Sequence, residues 1–78
     1  MIKLQILGSG CAKCATLALN ADIAARSLAL EYELEKVTDI NAIIDAGVMS
    51  TPALAIDGRV KSVGRVLSVA EIKQLLTA

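Results

Sequence analysis

Cys11 and Cys14 are the only two cysteines in a chain of 78 residues that contains no histidine. They stand in Gly8-Ser9-Gly10-Cys11-Ala12-Lys13-Cys14, where a glycine-broken stretch gives way to sequence rich in Ala and Leu. A Cys-x-x-Cys pair at the start of a helix places two thiols within one turn, close to free backbone N–H groups and the positive end of the helix dipole. Both features favour a thiolate, and thiols in such settings ionise at pH values lowered from ~8.5 to ~3.5–7.5. Cys11, nearest the free N–H groups, is the expected nucleophile. Cys14, on the inner side of the first turn, is more shielded and is expected to resolve a mixed disulfide by attacking the Cys11 sulfur. Lys13 adds positive charge nearby, with its side chain toward solvent. The same two sulfurs could instead hold Cu(I), share Zn(II) with an outside ligand, or pack as small hydrophobes. Spacing alone leaves these readings open.

The elements that must position the pair can be read on either side of it. Ile2, Leu4 and Ile6 alternate with Lys3 and Gln5, the period of a half-buried strand, before Gly8-Ser9-Gly10 breaks it. A helix is expected from Lys13 to about Leu28, with Leu17, Ala21, Ala24 and Leu28 on one stripe, and its small Ala side chains allow close approach to a sheet. Leu30, Tyr32 and Leu34 alternate with Glu31, Glu33 and Glu35, which predicts a second strand with one acidic, solvated face. Asp39 can cap a short helix over Ile40 to Ala46, ended by Gly47. Ala53 to Ile56 reads as a central strand and Asp57-Gly58 as the turn of a hairpin into Val60 to Val63. Ser68-Val69-Ala70-Glu71 is a capping box, with Leu67 and Ile72 as its staple, and Val69, Ile72, Leu75 and Leu76 form the buried stripe of a last helix. The order β-α-β-α-β-β-α predicts a mixed sheet: a parallel first crossover and an antiparallel hairpin.

Composition narrows the function classes. Eight Lys+Arg balance eight Asp+Glu and 55% of residues are hydrophobic, so the chain folds as one domain, residues 1–78, around an aliphatic core. Tyr32 is the sole aromatic, and without a basic field or stacking platform nucleic acid is not an expected partner. The absence of His removes His-based acid–base catalysis and Cys/His zinc sites. The longest uncharged run, Ala46 to Ile56, is far short of the ~20 apolar residues that span a bilayer. The alternating start reads as no secretory leader, so no membrane contact and a cytoplasmic address are expected. A close Cys pair in that reducing compartment is more often catalytic or metal-binding than structural.

The Cys-x-x-Cys after a strand and glycine turn, the segment Met49-Ser50-Thr51-Pro52-Ala53-Leu54-Ala55-Ile56-Asp57-Gly58, and Gly64 before a terminal helix together resemble the thioredoxin superfamily. The resemblance is closest to its small, glutaredoxin-sized redox-active disulfide members and spans nearly the whole chain. It implies an α/β, thioredoxin/glutaredoxin-like fold with a four-stranded mixed sheet flanked by helices. It also implies thiol–disulfide oxidoreductase activity through Cys11 and Cys14, with no cofactor and no metal. By resemblance the Thr51-Pro52 bond is cis and its proline packs beside the cysteines. Thr51 and Pro52 then bound the place where an extended substrate segment adds main-chain hydrogen bonds, and Gly64 is the glycine turn that lets a thiol partner approach. Arg65 at the same end could attract a carboxylate. The implied partners are a disulfide-containing protein substrate and a thiol or flavoprotein reductant, acting on a monomer.

Some family features are missing. Thioredoxin's Trp-Cys-Gly-Pro-Cys is replaced by Gly10-Cys11-Ala12-Lys13-Cys14, and no tyrosine stands beside the cysteines. Asp22 is the only acid on the first helix, and no carboxylate can be placed behind Cys14. The alternative reading is a Cu(I) or soft-metal chaperone, since heavy-metal-binding domains also carry Cys-x-x-Cys after their first strand. Those domains usually have Met two residues before the first Cys, where this chain has Ser9, and follow β-α-β-β-α-β. A third reading is an interaction module that docks by a strand edge.

Overall fold

The computed structural model describes residues 1–10 and 12–77. Seven elements follow in the expected order: β1 (Ile2–Leu7), α1 (Ala12–Ser27), β2 (Tyr32–Val37), α2 (Ile40–Asp45), β3 (Ala53–Ile56), β4 (Arg59–Val63) and α3 (Val69–Thr77). The sheet runs β2-β1-β3-β4. β1 pairs in parallel with β2, and the β1–β3 and β3–β4 pairs are antiparallel, so the sheet is mixed as expected.

Alternation along the strands divides the interior into two layers. Leu4, Ile6, Leu54 and Ile56 meet the α1 stripe of Leu17, Ala18, Ala21, Ala24 and Ala25, with Leu67 and Ile72 completing that layer. On the opposite face Leu7, Ala53 and Ala55 pack against Ile43 and Val48 beside α2. The small residues of α1 are themselves buried, so the helix lies close on the sheet.

The ends of the elements follow from local chemistry. Asp39 accepts a hydrogen bond from the Asn41 N–H and caps α2. Gly47 closes that helix in the left-handed region: its N–H donates to the Ile44 carbonyl, and the Val48 N–H reaches back to Ile43, the apolar partner with which Val48 also packs. Asp57 and Gly58 both have positive φ, the pair of conformations a two-residue hairpin requires. Ser68 and Glu71 exchange the two hydrogen bonds of a capping box at α3.

One boundary differs from the sequence expectation. Leu30 does not begin the second strand. Ala29 has a φ of 55°, its N–H donates to the Arg26 carbonyl, and the Leu30 N–H donates to the Ala25 carbonyl. These are the two bonds of a helix-terminating Schellman turn, and they draw Leu30 into the end of α1. The strand therefore starts at Tyr32 and its inward row runs Tyr32, Leu34, Lys36.

Candidate active site at the end of the sheet

Gly8 joins β1 to the turn that leads into α1, and its N–H donates to the Val37 carbonyl at 3.0 Å. It is buried, and the space a side chain would need is already filled. A Cβ built there would overlap the Cys14 Sγ and stand 3.6 Å from the Thr51 Cβ. Cys14 lies on the inner face of α1, within the first turn of the helix, and only 5% of its surface is exposed. Gly8 is therefore the point where the sulfur and the segment before β3 converge.

That segment carries the Thr51-Pro52 bond, which is cis. Pro52 is fully buried, whereas Thr51 is exposed. The Pro52 carbonyl accepts the Gly64 N–H at 2.9 Å, tying the end of β4 to the start of β3. Gly64 has a φ of +72° and a Cβ on it would be 3.1 Å from the Ser50 Cβ, so both conformation and space favour glycine. Cys14, Thr51, Pro52 and Gly64 thus occupy one end of the sheet. Cys11 lies outside the described residues.

Two depressions flank this point. A hollow of about 70 Å³ beside the Cys14 sulfur is lined by Ile6, Gly8, Gly10, Ala15, Lys36 and Thr38. It has room for water rather than for a substrate side chain. A larger groove of about 380 Å³, lined among others by Ser9, Ile40, Ile44, Met49 and Thr51, runs along α2. Ile40, Ile44 and Met49 are 68%, 62% and 93% exposed, so the groove presents uncovered apolar surface next to Thr51.

Two charged side chains have different surroundings from those the sequence suggests. Arg65 donates to Glu71 at 3.0 Å, so the carboxylate it attracts is that of the α3 capping box. Asp22 is part-buried: it accepts the Tyr32 hydroxyl and pairs with Arg26 at 3.3 Å, fastening α1 to β2 two turns away from Cys14.

Sequence reasoning passed over Gly8, Ser50, Lys36 and Thr38. Only Lys36 left a signal, a charge in the inward row of β2 where the alternation calls for an apolar residue. Gly8 and Ser50 acquire their significance through contacts that chain folding creates.

Residues 2–77 match a known family description, a thioredoxin domain. The thioredoxin of Methanothermobacter thermautotrophicus is 44% identical over 77 residues, covering 99% of this chain and 100% of that protein. The thioredoxin of Methanocaldococcus jannaschii is 38% identical over 76 residues, covering 97% of this chain and 87% of that protein.

Proposed function

The chain belongs to the thioredoxin family, and from that premise we propose that it is a thiol–disulfide oxidoreductase that reduces or exchanges disulfides of protein substrates through Cys11 and Cys14. Family membership and the two relatives support a thioredoxin-like redox function. The observation that carries the finer reading is the packing of the Cys14 sulfur against Gly8, beside the cis Thr51-Pro52 bond.

In the proposed reaction the Cys11 thiolate attacks one sulfur of a substrate disulfide, and the other substrate sulfur leaves as a thiolate. Cys14 then attacks the Cys11 sulfur, releases the second substrate thiolate and closes the Cys11–Cys14 disulfide. A thiol or flavoprotein reductant returns the pair to the dithiol. Thr51 and Pro52 border the entry of an extended substrate segment, Gly64 leaves room for the partner, and the α2 groove takes an apolar side chain next to the disulfide. The protein works as a cytoplasmic monomer. No described helix is long and apolar enough to cross a membrane.

Reduction of a model protein disulfide by single-cysteine variants tests the proposal. Cys11→Ser abolishes turnover, while Cys14→Ser accumulates a mixed disulfide at Cys11 that mass spectrometry detects. A Cys11→Ser protein as fast as the parent overturns the proposal. The soft-metal reading gains no observation, because α2 lies between β2 and β3, unlike the β-α-β-β-α-β order of heavy-metal-binding domains. A Cu(I) titration against a competing chelator tests it independently.

A further inference from the structure

We infer that Asn20 is a positioning residue for partner docking: its side-chain amide fixes the segment joining β4 to α3 onto the helix that carries Cys14. This rests on the proposed function, in which Gly64 at the start of that segment leaves room for the partner, and it identifies what holds Gly64 relative to α1.

Residues 64–68 form neither helix nor strand, so their placement depends on individual ties. The Gly64 N–H donates to the Pro52 carbonyl at the head of β3. At the other end Ser68 and Glu71 exchange two hydrogen bonds, and Arg65 donates to the same Glu71 carboxylate. These bonds fasten the segment to the β3 side and to α3. The bond that reaches α1 comes from Asn20, whose Nδ2 donates to the Leu67 carbonyl at 2.9 Å, across 47 residues of sequence.

The Leu67 side chain also enters the aliphatic layer against α1. Apolar contact is non-directional, however, and leaves the backbone free to pivot about the buried side chain. A hydrogen bond to the carbonyl fixes the direction of the peptide plane. Leu67 is 4% exposed, so its carbonyl has little access to water and the Asn20 amide supplies its donor.

The placement of Asn20 on α1 suits that task. It lies three residues after Leu17 and four before Ala24, both buried, and therefore stands beside the inward stripe rather than on the outer face. It is half-buried there. Asparagine is a poor residue for a helix interior, since its amide competes for backbone groups, and here the amide is committed to a carbonyl of another element. Cys14 stands six residues earlier on the same helix, about 9 Å along its axis. One stiff rod thus carries the sulfur near its start and the anchor for residues 64–68 further along, which sets Gly64 relative to α1 as well as to Pro52.

The full-length parent, Asn20→Leu and Asn20→Asp test this at a temperature where the variants remain folded. Both substitutions keep the side-chain size and remove the donor, and either carries the comparison should the other fail to fold. Two readouts are taken: amide hydrogen exchange at Gly64, referred to Leu54 of the same protein, and the kinetics of reducing a protein disulfide and a small aliphatic disulfide. The Gly64 N–H should exchange about three- to tenfold faster relative to Leu54, the effect of losing one hydrogen bond. KM for the protein disulfide should rise by a similar factor, about three- to tenfold, with kcat near the parent value, while the small disulfide changes by less than about twofold. A bond of purely structural importance would lower the urea midpoint and leave these readouts at parent values. Either readout unchanged, or equal effects on the two substrates, overturns the inference while leaving the proposed function standing. A parent that reduces no protein disulfide overturns both.

Discussion

Gly8 gives its missing side-chain volume to the Cys14 sulfur: a Cβ at Gly8 would overlap Sγ and lie 3.6 Å from Thr51. Gly8→Ala must therefore push the first turn of α1 away from the sheet. Overpacking of this kind costs about 1–3 kcal/mol. We expect that loss in urea unfolding, together with slower disulfide exchange in the protein that remains folded. A variant as stable and as active as the parent would show that the turn yields freely.

Ala29 makes the opposite case. It holds a φ of 55° at the end of α1, where an L-residue costs roughly 1–2 kcal/mol and glycine does not. Glycine loses more chain entropy on folding, about 0.5–1 kcal/mol, so Ala29→Gly should stabilise by about 0.5–1 kcal/mol net. The urea midpoint should rise with an unchanged slope.

The α2 groove should matter for large substrates. Ile44→Glu places a charge on surface that is 62% exposed and apolar beside Thr51. KM for a protein disulfide should rise by about fivefold or more, and by far less for a small aliphatic disulfide, which does not reach α2. Equal effects on both substrates would remove the groove from substrate recognition.

Glu71 couples α3 to pH. Its carboxylate accepts the Ser68 N–H, is further favoured by the Ser68 side chain, and pairs with Arg65, all of which hold it below its ordinary value of 4.5. A group depressed in the folded state stabilises above its unfolded value, and that contribution is lost as pH falls through the folded one. Glu71→Gln should therefore show a flatter loss of stability in acid than the parent. The two proteins should have parallel stability profiles at neutral pH. Separately, Ser68→Ala should cost about 1 kcal/mol at pH 7 by removing the hydroxyl that accepts the Glu71 N–H.

The features legible in the sequence are those whose cause is local. Ser68 with Glu71, Asp39, Gly47 and the Asp57-Gly58 pair each announce a cap or a turn because the partner atoms lie within a few residues. Strand alternation likewise put Leu4 and Ile6 on one buried face of β1, the face that meets α1, whereas the continuous apolar run Ala53 to Ile56 left the faces of β3 undivided. Ala29 gave no such sign, since alanine is a poor marker of a left-handed helix end, and Leu30 was consequently read into β2. The meeting of Gly8 with Cys14 and Thr51 was hidden for another reason. It depends on β1–β3 register, in which Leu7 faces Ala53 and so brings the residues just beyond them together. The link between Gly64 and Pro52 likewise depends on the β3–β4 pairing, which sets Ala53 opposite Val63.

The two faces of the sheet are unequally anchored. One carries the long helix α1 and its partner α3 over a broad aliphatic layer; the other carries α2, six residues long, held mainly by Ile43 and Val48. Partial opening of the native state should begin where least apolar surface is lost, so α2 should exchange its amide hydrogens through excursions much smaller than whole-chain unfolding. The sulfur is mounted on the stiff wall of the cleft, and the apolar groove on the compliant one. In the proposed reaction the Cys14 sulfur would then stay in register while the proposed recognition surface along α2 adapts to substrates of different shape.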